Sequence, residues 1–168
     1  MRIFVLLVAV LALAAAGTAH AAGPKVIGTM SLLDHADLQN LPVLAVQWAA
    51  RNTAVVGGGG AGKISFDPFV VTKSIDATSP ALLALTFAGT HLSAVRIDVT
   101  IRRGVTATYE LSDVLIVAND RHAPDGGGPL LQDLSLSADV IRETVSSVGG
   151  TLTSCFSLKT NRDCDPPL

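Results

Sequence analysis

Two segments of the sequence alternate strictly between apolar and polar side chains, and this alternation most constrains the fold. Val or Ile occupies every second position from 95 to 101, with charged or hydroxyl residues between, and 134–140 repeats the pattern. Successive side chains of a β-strand point to opposite faces, so a period of two predicts strands with one solvated face. We therefore expect a mainly β protein, built as a single-domain antiparallel β-barrel or two-sheet sandwich.

A third segment, 106–118, is also rich in strand-forming residues, but its apolar phase changes along the way. Leu111 lies in one phase and Val114 in the other. Such a change predicts a β-bulge at Ser112–Asp113. Further strands are predicted at 26–33, 41–51, 64–73 (with Pro68 at an edge or bulge) and 151–158.

One segment predicts a short α-helix at about residues 80–88. Ser79 suits the N-cap, Pro80 the first helical position and Gly89 the stop. The helix lacks the polar stripe of a surface helix, so it is either buried against the sheets or covered by a neighbouring subunit. We favour the second alternative. The candidate oligomer-interface residues are Leu82, Leu83, Leu85 and Phe87.

The N-terminus has the pattern of a secretory signal peptide. Met1-Arg2 is followed by 14 apolar residues from Ile3 to Ala16, and Ala19 and Ala21 are small residues at positions −3 and −1. A membrane anchor is the alternative, but a spanning helix needs about 20 residues. We expect residues 1–21 to be removed, leaving a secreted or periplasmic protein without membrane association.

Export would place the two cysteines in an oxidising compartment, where disulfides persist. Cys155 and Cys164 are predicted to form one. A metal pair or a reactive thiol are alternatives, but two cysteines without a nearby histidine make a poor zinc site. We expect residues 22–148 to form the barrel domain, and 149–168 a C-terminal strand and disulfide-closed tail.

The charge balance argues against a nucleic-acid partner. The 168 residues carry 12 Lys and Arg against 14 Asp and Glu, for a net charge of −2. Phosphate binding depends on an excess of basic residues, which is missing here.

The sequence predicts no cofactor site. Gly57, Gly59 and Gly62 match the dinucleotide pattern G-x-G-x-x-G, and Lys63 completes an approximate P-loop. Both motifs require a following helix, whereas 64–68 has the composition of a strand. We interpret the glycines as a hairpin loop.

We also predict no metal site and no catalytic residue. Asp34, His35 and Asp37 could hold a metal, as could a group comprising Asn119, Asp120 and Asp125, but both are typical of ordinary loops. There is no G-x-S-x-G motif to present a nucleophilic serine.

From about 26 to 145 the chain resembles the haemolysin-coregulated protein (Hcp) family of type VI secretion systems. Three ordered blocks carry the resemblance: 44–48, ending in Trp48; 66–92; and 109–114 with the later 134–136. The second block is the most specific, and its matching residues are Phe66, Phe69, Thr72, Lys73, Asp76, Ser79, Pro80, Leu82, Gly89 and His91.

The resemblance implies a two-sheet β-barrel with one helix, and hexameric rings that stack into a tube carrying effectors. It also implies a non-enzymatic role, and an inter-ring loop at Gly57, Gly58, Gly59, Gly60 and Gly62. Three features depart from the family pattern: the signal peptide, the cysteine-containing tail, and the absence of an aromatic residue at 140–144. The signal and the tail favour an alternative, a free-standing exported module that binds a ligand or protein partner.

Overall fold

The computed structural model describes residues 25–52, 62–124 and 127–164. The predicted signal peptide 1–21, Asp125 and four of the five loop glycines (57–60) lie outside the described residues. The elements in chain order are β1 (Gly28–Leu32), β2 (Leu41–Val43), β3 (Ala45–Gln47), β4 (Ala50–Asn52), β5 (Ile64–Phe66), β6 (Phe69–Ser74), α1 (Ser79–Ala88), β7 (Leu92–Arg102), β8 (Val105–His122), β9 (Leu131–Ser147), β10 (Gly150–Ser157) and β11 (Arg162–Asp163).

The main sheet is antiparallel, with the strand order β11-β10-β9-β8-β7-β1-β2. One half of the long strand β9 pairs with β10 and the other half with β6, which in turn pairs with β3. Only Leu44 separates β2 from β3, and its N–H donates to the carbonyl of Thr72 at 2.8 Å. The chain thus passes from the β1 edge to the β6 edge. The strands surround one core, which confirms the mainly β, barrel-like prediction with one short helix.

Strand β7 confirms the predicted alternation, and its C-terminal end extends beyond the buried core. Val95 and Ile97 are fully buried, Val99 is half-buried, and Ile101 is 57% exposed. The end of β7, the start of β8 and the hairpin of β9 and β10 therefore extend past the closed core.

The predicted bulge at 112–113 is wrong in position. Pairing of β8 with β9 keeps its register across Asp113, and the shift lies between Ile116 and Ala118. Asp113 instead takes a positive φ of 52°. Strand β9 changes its buried phase at the same level, between Ala138 and Ile141. The buried side chains of β8 and β9 switch to the other face of the sheet at the same level. The pairing therefore needs no extra, bulged residue at Asp113.

Proline ends one strand and begins another. The predicted strand 64–73 is divided at Pro68 into β5 and β6, which pair with different partners. Strand β5 forms a separate two-stranded sheet with β4. This small sheet later forms one wall of a cleft.

Candidate functional site: the apolar helix and an aromatic cleft

Helix α1 spans Ser79–Ala88, with Pro80 in its first turn. Gly89 ends it in the left-handed conformation, with φ at 58°. The N-cap is Thr78 rather than Ser79, because the buried Ser79 hydroxyl donates to Gln132 Oε1 at 2.8 Å. Glycine is favoured at the C-terminal end of the helix because it adopts a positive φ without a side-chain clash.

The four candidate interface residues of the helix occupy different environments. Leu82 is fully buried in the core of its own chain, which removes it from any surface offered to a neighbour. Leu83 and Leu85 are half-buried, and Phe87 is 80% exposed. The first alternative, burial against the sheets, therefore holds for the Leu82 side of the helix. The assignment of Leu83, Leu85 and Phe87 to an oligomer interface stays a prediction.

A buried ammonium group lies at the start of the helix. Lys73 on β6 is 1% exposed, and its Nζ donates to the carbonyl of Ser74 at 2.8 Å. Asp76 Oδ1 lies 2.9 Å from the same nitrogen, although the Asp76 side chain is 40% exposed. Burial by itself would raise the pKa of Asp76, but hydrogen bonds from Thr78 and Lys73 outweigh it and lower the pKa.

Buried amides continue this polar network across the sheet. Gln132 on β9 donates to Asn119 Oδ1 on β8 at 2.7 Å, and Asn119 lies 3.4 Å from the Thr86 hydroxyl near the end of α1. The network therefore joins both ends of the helix to β8 and β9. Sequence reasoning considered Asn119 only for a metal loop and missed Gln132, although Gln132 shares the apolar phase of Leu134 and so could have been recognised as an inward polar residue.

Asp34, which was considered for a metal, and the family-pattern residue His91 each have a local hydrogen-bond partner. Asp34 accepts hydrogen bonds from the Ser93 hydroxyl and N–H, which lower the pKa of its carboxyl. His91 Nδ1 lies 2.8 Å from Asp113 Oδ1. Within 25–52, 62–124 and 127–164, no three His, Cys, Asp or Glu residues are placed to share a metal ion.

An aromatic cluster packs where the small β4–β5 sheet meets the main sheet. Trp48 stacks on Phe69 with ring centroids 5.0 Å apart, and Tyr109 meets Phe69 edge-on at 5.5 Å. Phe66 contacts Trp48 at 6.0 Å and Phe156 at 5.9 Å. Such offset and edge-on contacts are the favoured geometries for aromatic rings.

A cleft of about 320 Å³ opens beside this cluster. One wall comes from β4, β5 and the preceding Trp48, and the other from β9, β10 and β11. Its lining residues are Trp48, Ala50, Ile64, Phe66, Ile141, Glu143, Ser154, Phe156 and Asp163. Tyr109 lies next to the lining residues Trp48 and Glu143. Burial raises the pKa of its hydroxyl, a hydrogen bond with Trp48 lowers it, and the nearby Glu143 carboxylate raises it.

A disulfide closes the C-terminal end of this wall. Cys155 is bonded to Cys164, with Cα atoms 5.1 Å apart, and the Cys164 N–H donates to the Cys155 carbonyl at 3.2 Å. The bridge flanks the β10–β11 ladder, in which Phe156 pairs with Asp163. Two lining residues are therefore held in register by the covalent bond.

None of the helices in the described part of the chain is both long enough and apolar enough to span a bilayer.

Comparison with known structures identifies the fold. Hcp1 from Salmonella typhimurium is 16% identical, with a TM-score of 0.66, and the match covers 83% of this chain and 100% of that one. A type VI secretion system effector from Yersinia pestis is 19% identical, with a TM-score of 0.57, covering 81% and 96%. The secreted protein Hcp3 from Pseudomonas aeruginosa is 22% identical, with a TM-score of 0.54, covering 73% and 78%. At these identities the likeness establishes the fold alone.

No curated protein matches the chain in sequence. A family model does match: the model described as "Type VI secretion system effector, Hcp" covers residues 27–145. That range contains β1 to β8 and most of β9, and it ends before β10 and the disulfide. Since the match spans well over half of the sequence, the chain belongs to the Hcp family of type VI secretion system proteins.

Proposed function

We propose that this protein is a non-enzymatic structural component of a type VI secretion system, which assembles into hexameric rings that stack into a tube for effectors. The observation that carries the proposal is the outward face of α1 within an Hcp barrel. A ring of identical subunits closes through one repeated heterologous contact, so each subunit needs a surface to offer its neighbour.

The outward face of α1 supports this role because it is apolar over most of its length. Ala81, Ala84 and Ala88 are exposed beside Phe87. Isolated exposed apolar residues are ordinary on soluble proteins, but a contiguous apolar patch is typical of an interaction site. Aromatic residues contribute strongly to such interfaces because they bury a large area with few rotatable bonds.

The native mass of residues 22–168, with the disulfide intact, tests the ring. We expect light scattering to give six times the subunit mass, and Phe87→Ser to shift the distribution to smaller species. Leu130→Ser is the matched control, because Leu130 is an exposed apolar residue outside the helix. A wild-type monomer across a wide concentration range would contradict the proposal.

The five loop glycines remain our proposal for an inter-ring contact, and the structure describes only Gly62 among them. Removal of residues 1–21 during export is likewise proposed, and N-terminal sequencing of the exported protein should find Ala22 first. An unprocessed N-terminus would contradict that step alone.

A second candidate function is a free-standing exported module that binds a ligand or partner. The C-terminal disulfide element favours it, because it lies outside the family-matched range and forms one wall of a cleft. A monomeric wild-type protein in the mass experiment would favour this candidate over the ring.

A further inference from the structure

We propose that the aromatic cleft between β4–β5 and β10–β11 is a binding site for a small organic cation, of the quaternary or alkyl ammonium class. The site does not depend on the ring proposal. It rests on the shape of the cleft, its aromatic walls, the charge of its lining and the element that closes it.

The cleft has the dimensions and surface of a ligand site. Its volume of about 320 Å³ falls at the lower end of the range for small-molecule pockets, which runs from about 300 to 1,000 Å³. Trp48, Phe66 and Phe156 supply aromatic surface to its lining. Phe66 contacts each of the other two rings at 5.9–6.0 Å, so the three hold one another in place. The walls are therefore formed before a ligand arrives.

The lining is acidic as well as aromatic. Glu143 and Asp163 are its only ionisable residues among those that the structure describes. The Glu143 carboxylate also accepts a hydrogen bond from the Tyr109 hydroxyl, which lies behind the cleft. An ammonium group is attracted to the faces of aromatic rings, and nearby carboxylates add to that attraction. An anionic ligand would meet repulsion from both.

The disulfide-closed segment supplies part of the second wall of the cleft. The Hcp family model ends at residue 145, whereas Ser154, Phe156 and Asp163 come from the segment beyond it. Cys155 and Cys164 hold the short β10–β11 ladder that sets Phe156 opposite Asp163. The bond adds a covalent link to the hydrogen bonds that Leu158 and Lys159 donate to Asp139. We infer that the bridge organises a binding site in addition to securing the chain end.

Choline and its neutral isostere 3,3-dimethylbutan-1-ol test the proposal directly, because they differ mainly in charge. Trp48 is the only tryptophan and lines the cleft, so its fluorescence should respond to a ligand bound there. Calorimetry provides an independent readout on the same oxidised protein. We expect saturable binding of choline at millimolar concentrations, and at least fivefold weaker binding of the alcohol.

Variants in the lining locate the site. Phe156→Leu should weaken choline binding at least about threefold by removing an aromatic face. Asp163→Asn should weaken it about two- to fivefold; this residue is exposed, so the change carries little risk to folding. Phe87→Leu and Glu110→Gln are the matched controls, because both residues lie outside the cleft, and they should leave the affinity within twofold of wild type.

Three results would overturn the proposal. The first is the absence of saturable choline binding in both fluorescence and calorimetry up to roughly 50 mM, beyond the weak end of ordinary ligand affinities. The second is equal binding of the neutral alcohol, which would indicate a general apolar pocket. The third is unchanged choline affinity in both Phe156→Leu and Asp163→Asn, which would place the binding elsewhere.

Discussion

Replacing Asp76 by Asn should destabilise the protein more than removing its partner Lys73, although both changes break the same ion pair. The asymmetry follows from burial, since the Lys73 side chain is 1% exposed and that of Asp76 is 40% exposed. The amide oxygen introduced by Asp76→Asn could still accept the Thr78 N–H, which donates to Asp76 Oδ1 at 2.9 Å. The substitution therefore removes the negative charge while keeping the local turn. It leaves a buried ammonium group with only neutral acceptors, which are Ser74, Ser79 and the introduced amide oxygen.

The size of the effect follows from how well each remaining group is solvated. Removing one partner of a fully buried pair costs about 3–5 kcal/mol, because the other charge is left uncompensated. Solvent already screens Asp76, and neutral hydrogen-bond acceptors for Lys73 remain, so we expect about 2 kcal/mol for Asp76→Asn. Lys73→Met keeps most of the buried volume and leaves Asp76 to be hydrated. We expect it to cost about 1 kcal/mol or less.

Urea unfolding of the oxidised protein at pH 7, followed by Trp48 fluorescence, measures both free energies. The double variant, Lys73→Met with Asp76→Asn, should be more stable than Asp76→Asn alone, because the stranded charge is gone. Asp67→Asn is the control, since its pair with Arg51 is exposed and should cost less than about 1 kcal/mol. A Lys73→Met variant less stable than Asp76→Asn, or strict additivity in the double variant, would refute the reasoning.

The same pair predicts a pH dependence of stability. The pKa of Asp76 is lowered in the folded chain, so the unfolded chain binds its proton more readily. Its contribution to the free energy of unfolding is thus present above the ordinary carboxyl pKa, near 4, and is lost as the pH falls through the lower folded value. Acid titration of stability should show a smaller loss in Asp76→Asn than in wild type, and an equal loss would contradict this assignment.

Two further changes test the backbone packing and the disulfide. A Cβ at Gly28 would press directly against the Asp98 carbonyl of β7, so Gly28→Ala should cost about 1–3 kcal/mol and lower the Tm. Gly149→Ala should change the Tm little, because the added Cβ would lie 3.8 Å from its nearest neighbour, Ser147 Oγ. Replacing Cys155 and Cys164 by Ser should lower the free energy of unfolding in urea by about 2.5–3 kcal/mol, from the entropy of a ten-residue loop. Equal Tm values for the two glycine variants, or a serine variant as stable as wild type, would contradict these expectations.

The strands were predictable from sequence because their signal is local. Every second residue of 95–101 is Val or Ile, and this pattern needs no knowledge of distant residues. What the apolar face packs against is a non-local property. Val95 lies in the closed core and Ile101 beyond it, yet both have the same place in the pattern. The extension of β7 past the core therefore could not be read from the alternation.

The cleft could not be predicted from the sequence either, because it also depends on non-local packing. Trp48 and Phe156 are more than 100 residues apart in sequence, and the pairing of β9 with both β6 and β10 brings them to one cavity. The strands β4 and β5 have three residues each, too short for a clear period of two. Sequence reasoning placed Trp48 and Phe66 in the family pattern and assigned Cys155 to a disulfide, but nothing in those assignments predicted a shared cleft.

The helix and the cleft lie at different levels of β8, which makes the two proposals separable by experiment. Thr86 of α1 contacts β8 at Asn119, whereas the cleft residue Ile141 pairs with Leu111. Eight residues of strand correspond to about 26 Å along its length. A substitution at Phe87 should therefore leave the cleft intact, and one at Phe156 should leave the outward face of α1 unchanged. The family-matched part of the chain presents the proposed ring contact, while the segment beyond it completes the proposed ligand site. If this protein forms rings without binding cations, only the helix surface is functional. If it binds cations as a monomer, only the cleft is.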